Sequence, residues 1–211
     1  LTIDNYVATD LTNGALNFPV GMITLDFDDT VASQYTVARP ILNAAGIKAG
    51  FYAITDPEVG IGSDSFYMTW ANIATLKADG HEIGSHTRTH PDLGTLTLAQ
   101  AQAEIVGAKN DLIAHGITPT TFVYPYGVYN TAIQQLVKDA GFVSARSVGD
   151  GFNYPGSNKF ALLDKHIVST TTIAQVQGWI NEAIANKTWL VFELHEQLTT
   201  PGADTGIYYN T

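Results

Sequence analysis

The 211-residue chain contains no cysteine, so disulfides and thiolate metal sites are both excluded, and any metal must be held by histidine and carboxylate. Positive charge is scarce as well. Lys and Arg total 10 against 20 Asp and Glu, a formal charge of −10, and the only arginines are Arg39, Arg88 and Arg146. A surface of that sign lacks the basic stripe that nucleic acid requires. No apolar run approaches the roughly 20 residues of a membrane span. Charged residues of either sign make up 14% against 45% hydrophobic, which excludes a disordered chain and fits one globular domain over 1–211, by default a monomer. The chain begins at Leu1 rather than Met, as a processed or trimmed chain would, and a secreted or cell-surface protein is expected.

What the sequence does contain is a regular alternation. Apolar stretches at 20–27, 49–54, 82–85, 121–126, 142–147, 161–168 and 189–194 read as strands. Between them lie helical patterns at 37–46, 70–78, 97–115, 130–140 and 172–186; Thr97 is placed to cap the longest, in which Leu98, Ala101, Ile105, Ala108 and Leu112 recur at threes and fours. Strand–helix repetition of this kind predicts an α/β fold with a parallel sheet closed into a (β/α) barrel. Eight full units do not fit comfortably in this length, so a distorted, seven-stranded barrel is expected. Residues 1–19, with a turn at Asn13-Gly14, are expected to cross its surface.

Two segments carry the chemistry. Asp28 and Asp29 end the apolar run Val20, Met22, Ile23, Leu25, Phe27, and charge at the end of a buried strand is costly unless it is paired or holds a metal. Alternation along a strand sends adjacent carboxylates in different directions, so the two can take different tasks. His86 and His90 converge on one ion if the intervening backbone makes a single turn. Two imidazoles and one carboxylate form the open tripod of a catalytic zinc site, although cobalt, nickel or manganese suits the same ligands. His81-Glu82-Ile83-Gly84-Ser85-His86 imitates a zinc-protease helix with one residue too many, and Gly84, Thr87 and Thr89 disfavour helix there.

Phe27-Asp28-Asp29, Ser85-His86-Thr87-Arg88-Thr89-His90, Tyr124-Pro125-Tyr126-Gly127 and Leu194-His195-Glu196 occur in the order and approximate spacing of the motifs of the polysaccharide deacetylases, the family 4 carbohydrate esterases, which the chain resembles over residues 20 to 196. The resemblance implies the same barrel and a metal-dependent hydrolase removing acetyl groups from a polysaccharide. N-acetyl groups of a GlcNAc-containing polymer such as chitin, peptidoglycan or poly-N-acetylglucosamine are the first reading. An O-acetyl xylan esterase, or an inactive domain that kept its metal and binds carbohydrate, are the alternatives. In the first reading Asp29, His86 and His90 hold the ion, Asp28 is the general base and His195 the acid that protonates the leaving group. The backbone N–H of Tyr126 would face the oxyanion, and its ring is the candidate sugar platform.

The sequence leaves the family pattern in two places. The third motif ordinarily begins with an Arg that orients the base, but here the region reads Phe122-Val123-Tyr124-Pro125; no fourth motif is recognisable. Arg39 precedes Pro40 in an outer helix, and Arg88 lies between the two histidines and points outward. By elimination Arg146 is expected to offer Asp28 a bidentate fork from the barrel mouth. Glu193 shares a strand face with His195 and could tune it or pair with a cation in the barrel, whereas His81, His115 and His166 carry no motif and are expected to be surface or core residues.

Overall fold

In the computed structural model, residues 18–197 and the backbone of 209–210 are described; the expected N-terminal crossing segment and its Asn13-Gly14 turn lie outside them. Seven parallel strands close into a barrel in sequence order: β1 Met22–Phe27, β2 Gly50–Ala53, β3 Glu82–Ser85, β4 Thr121–Val123, β5 Ser144–Asp150, β6 Leu162–His166 and β7 Trp189–Leu194. The longest seam joins β1 to β7, in register from Met22 opposite Trp189 to Phe27 opposite Leu194. A short parallel pair, β8 Glu196–Gln197 with β9 Tyr209–Asn210, lies beyond the barrel.

Five helices cover the strands: α1 Arg39–Ala45, α2 Trp70–Ala78, α3 Leu98–Ala114, α4 Thr131–Asp139 and α5 Ile173–Asn186. Local sequence sets their starts. Thr69, Thr97 and Thr172 each accept from the backbone N–H three residues on, and Asn72, Gln100 and Gln175 return a bond to the cap backbone. Each such cap contributes about 1 kcal/mol. Of the predicted stripe of α3, Ala101, Ile105, Ala108 and Leu112 are buried against the barrel, whereas Leu98, in the first turn, is exposed. No helix among the described residues is long and apolar enough to cross a membrane.

Most boundaries shift by a residue or two, and two of the differences have a plain local reason. Strand β4 stops at Val123 rather than 126, because Pro125 lacks the N–H a ladder needs and the chain turns over Pro125–Gly127. The segment before α1 opens as a π-turn, Gln34–Ala38, and Pro40 falls in the first turn of α1, where its missing donor is harmless. Strand β5 begins later and runs further than 142–147, so Arg146 is its third residue and not near its end.

Candidate active site

The strand ends deliver polar side chains by a rule of two. Residues two apart on a strand share a face, and three strands aim such pairs into the barrel: Asp26 and Asp28 from β1, Asp164 and His166 from β6, Glu193 and His195 from β7. Six of these side chains, with Arg146 from β5, gather where the strands finish. Gln34 staples two of the ends, because its amide nitrogen donates to the carbonyls of both Asp28 and His195. Above them a cavity of about 380 Å³ is lined by Asp28, Asp29, His86, His90, Tyr124, Tyr126, Val148, His166, Glu193 and His195.

Asp29, His86 and His90 meet at the cavity floor. The Nε2 atoms of the two histidines lie 3.1 Å apart, and each is 3.4 Å from Oδ1 of Asp29. The His86 Nδ1 lies 2.9 Å from the Val123 carbonyl, which can only accept, so the proton sits on Nδ1 and the Nε2 lone pair faces the triangle. Oδ1 of Asp29 is buried with no hydrogen-bond partner. A tetrahedral ion with bonds of 2.0 to 2.2 Å requires ligand–ligand edges of about 3.3 to 3.6 Å. The triangle, the orphaned oxygen and the imidazole tautomer therefore fit a divalent ion. The histidines converge without a helical turn: Thr87 and His90 are in the left-handed region, at φ 67° and 56°.

Electrostatics reinforces that arrangement. Burial would raise the Asp29 carboxyl, but the adjacent His86, with the charges of His195 and His90, holds it well below the usual carboxylate range. Burial, followed by the neighbouring His86, lowers His90 to about 4. Both shifts favour the deprotonated forms that ligate cations, whereas at His86 burial is outweighed by the carboxylates of Asp29 and Asp28, which raise the imidazole.

Arg146 reaches Asp28, though not as a fork from the mouth. Its side chain is buried in the barrel, and Nη2 alone lies 2.6 Å from both Asp28 oxygens. The remaining nitrogens serve other acids: Nε is 3.2 Å from Asp26, and Nη1 is 2.8 Å from Asp164 and 3.7 Å from Glu193. Four carboxylates thus surround one guanidinium. Burial raises Asp26 and Asp164 to about 7 despite that cation, while the hydrogen bond from His166 and the charge of Arg146 outweigh burial at Glu193 and lower it to about 2.

His195 lies across the cavity, its Nε2 3.7 Å from Oδ2 of Asp29 and 3.6 Å from Oε1 of Glu193. Glu193 does both things expected of it, approaching His195 and Arg146, and it also bonds Nδ1 of His166 at 2.9 Å. His166, expected to be an ordinary surface or core residue, instead lines the cavity and stacks on His195 with ring centroids 5.2 Å apart. Its signal in the sequence was weak: Asp164 and His166 are alternate polar positions, but Lys165 between them blurs the alternation. His81 is a core residue whose Nδ1 accepts from the Ala49 N–H, and His115 stacks on Trp70 on the outer helices.

Tyr126 projects over the cavity, 64% exposed, its ring 4.7 Å from His90. Its φ of 57° is unusual for a bulky residue, and Gly127 beside it has φ 68° with Val148 so close that a Cβ would lie 2.4 Å from its nitrogen. Of the six non-glycine residues with positive φ among those described, Asp29, Thr30, Thr87, His90 and Tyr126 all lie on these loops. Strain concentrated in this way, about 1 kcal/mol or more per residue, is characteristic of functional sites.

A sequence model of the polysaccharide deacetylase family matches residues 16–145. The chain belongs to that family. Among its relatives, a gellan lyase from Bacillus sp is 29% identical over 150 residues, 67% of this chain, and a chitin deacetylase from Pestalotiopsis sp is 31% identical over 119 residues, 56% of it. The matches span 6% and 38% of those two proteins, so the chain corresponds to a part of each. A deacetylase of Streptococcus pyogenes, PplD, solved with acetate, superposes with a TM-score of 0.73 over 82% of this chain and 75% of its own, at 23% identity. That likeness is one of fold. In this member of the family, the Arg beside Asp28 comes from β5.

Proposed function

We propose that this chain is a secreted or cell-surface, metal-dependent hydrolase that removes acetyl groups from a polysaccharide, and that its substrate carries N-acetyl groups on a GlcNAc-containing backbone. The observation that carries the reading is the triangle of Asp29, His86 and His90, flanked within one cavity by Asp28 on one side and His195 on the other. Zinc matches two imidazoles and a carboxylate, with cobalt, nickel and manganese able to use the same donors. When bound, the ion supplies Lewis acidity to an acetyl carbonyl and to a water.

The chain's own groups supply the rest. Asp28, held by Arg146, takes the proton of the attacking water at a carboxylate oxygen. The backbone N–H of Tyr126 stands at the rim, where an oxyanion would need a donor, and the exposed ring beside it offers a face to a sugar. His195 delivers a proton from its imidazole to the departing nitrogen. An amine is expelled from an amide only if it is protonated, so a general acid positioned by Glu193 supports an amide substrate over an ester. Together, Asp28 and His195 argue against an inactive carbohydrate-binding domain.

Acetate release from chitooligosaccharides and from acetylated xylan, measured side by side before and after chelation, tests the reading. Chelator-sensitive release from the chitooligosaccharides is expected to exceed that from xylan. Faster release from xylan would move the assignment to an esterase, and no release from either, with zinc restored, would refute an acetyl hydrolase.

A further inference from the structure

The loop that carries both histidines is irregular, and two of its residues adopt the left-handed region. Something outside the loop must keep Nε2 of His86 and Nε2 of His90 on one point. Glu104, in the second turn of α3, meets that need through three contacts. Its Oε2 accepts from the backbone N–H of Arg88 and from that of Thr89, both at 2.9 Å, and its Oε1 accepts from the Thr89 hydroxyl at 2.8 Å. On the other side, the N–H groups of Thr55 and Asp56, just past β2, donate to the carbonyls of Thr87 and Arg88. Donors on one flank and a carboxylate on the other thus bind four of the six backbone N–H and C=O groups of Thr87, Arg88 and Thr89.

The helix is shaped for this contact over two turns. Residues 104, 107 and 111 share one face. Gly107 lets the Arg88 stem lie against α3, since a Cβ there would come within 2.4 Å of its Cδ. Asp111 then binds the guanidinium, 2.9 Å from Nε, and also receives the Thr55 hydroxyl at 2.9 Å. Arg88 therefore points outward, as expected, but it has a task there: it seats the loop on the helix.

We propose that Glu104 is a positioning residue for metal binding, a clamp on α3 that holds the His86–His90 loop in its ligating shape. A carboxylate accepting from two consecutive backbone amides fixes their peptide planes, and the planes fix where the flanking imidazoles point. The inference rests on the reading of Asp29, His86 and His90 as ligands. Groups that orient metal ligands from behind contribute about 10- to 100-fold in affinity.

Cobalt(II) is the probe: its affinity is measured by calorimetry on chelator-stripped protein, and its visible absorption reports the coordination geometry. Glu104→Ala should weaken cobalt binding by about 10- to 100-fold and alter the spectrum, while the metal-free protein melts within a few degrees of the unsubstituted chain. Glu104→Gln, which keeps one acceptor oxygen and loses the other, should fall between the two and decides the matter if the alanine variant does not fold. Should the unsubstituted chain bind cobalt and Glu104→Gln bind it equally well with the same spectrum, the clamp is refuted and the ligand set stands. Should the unsubstituted chain take up no cobalt, the ligand set fails and the clamp with it. A loss of affinity matched by a comparable loss of metal-free stability would also overturn the proposal, because Glu104 would then serve the fold alone.

Discussion

Replacing Arg146 by Lys tests how the base is held. The guanidinium addresses Asp28, Asp26, Asp164 and Glu193 through three nitrogens, at 2.6, 3.2, 2.8 and 3.7 Å. An ammonium carries the same charge on one nitrogen, so it can sit among these acids but cannot serve both ends of the cluster. Asp164 and Asp26 lie nearer the strand bodies and would keep it; Asp28, at the far end, would lose its partner. A hydrogen bond between charged groups nets about 1.5 to 3 kcal/mol, and each 1.36 kcal/mol of lost transition-state stabilisation is roughly tenfold in rate. We therefore expect kcat for acetate release to fall by about 10- to 150-fold in Arg146→Lys, with cobalt affinity unchanged, because Arg146 does not touch the three proposed ligands. Arg146→Met should in addition lower stability by about 3 to 5 kcal/mol, the cost of stripping the partner from buried acids. In a chain of this size that corresponds to a fall in Tm of about 6 to 20 °C. If Arg146→Lys releases acetate at the unsubstituted rate, Asp28 does not depend on this contact and the argument fails.

The two adjacent aspartates should separate cleanly: Asp28→Asn is expected to bind cobalt normally and lose about 10²- to 10⁴-fold in kcat, whereas Asp29→Asn should lose the metal, and equal metal loss in both would refute the division. His86→Ala should abolish metal retention in calorimetry; retention at the original affinity would remove His86 from the ligand set. Stability of the metal-free protein should depend on pH through the Arg146 cluster. With Asp26 and Asp164 raised to about 7 by burial, the folded chain keeps protons that the unfolded chain releases near pH 4, so stability declines as pH rises from about 4 to 7. Burial also raises Glu82, which adds to the decline, and His86 and His166, also raised, add to it above about 6.5; His90, lowered to about 4, and His81, lowered by burial, oppose it. Glu193, lowered to about 2, loses its contribution only at more acidic pH. Thermal melts should thus be higher near pH 5.5 than near pH 8 for the wild-type chain, and Asp164→Asn should flatten the difference; a higher melt at pH 8 would overturn the assignment.

Most of the barrel was legible because most of its strands are short apolar runs and three of its five helices, α2, α3 and α5, carry threonine caps followed three residues on by Asn or Gln. The side chains that follow β1 and β7, Asp28 and His195, could be placed for the same reason, since each follows a largely apolar stretch; His86 follows the mixed Glu82-Ile83-Gly84-Ser85 and is placed by its motif. Asp164 and His166 escaped because Leu-Leu-Asp-Lys-His is too mixed to announce which face is inward. Lys165, between them, points the other way, pairing with Asp150 at 2.7 Å and lying over the rings of Phe152 and Trp179. Nor could the convergence of His86 and His90 through a strained loop be read from spacing alone. Its shape depends on Glu104, fourteen residues past His90 and on a helix whose exposed face reads as ordinary solvated surface.

The geometry of a closed parallel sheet lets an arginine on β5 reach Asp28, the proposed base. Val123 on β4 stands at the level of Arg146 on β5, the two being register partners, and Tyr124 continues the ladder by donating to the Arg146 carbonyl. Arg146 therefore occupies the same layer of the barrel as the residues just before the Tyr124-Pro125-Tyr126-Gly127 turn, one strand over. In a seven-stranded barrel the interior is narrow enough that a long side chain from any neighbouring strand in that layer reaches the middle. What the base requires is a planar cation at the correct height, and the strand that supplies it can change. Such a change must preserve the charge balance around the cation. Here Asp26, Asp164 and Glu193 crowd the guanidinium from β1, β6 and β7, and His166 binds the free side of Glu193. On the proposal that Arg146 stands in for the absent third-motif arginine, the acids and imidazole that neighbour it are those the adjoining strands place in its layer.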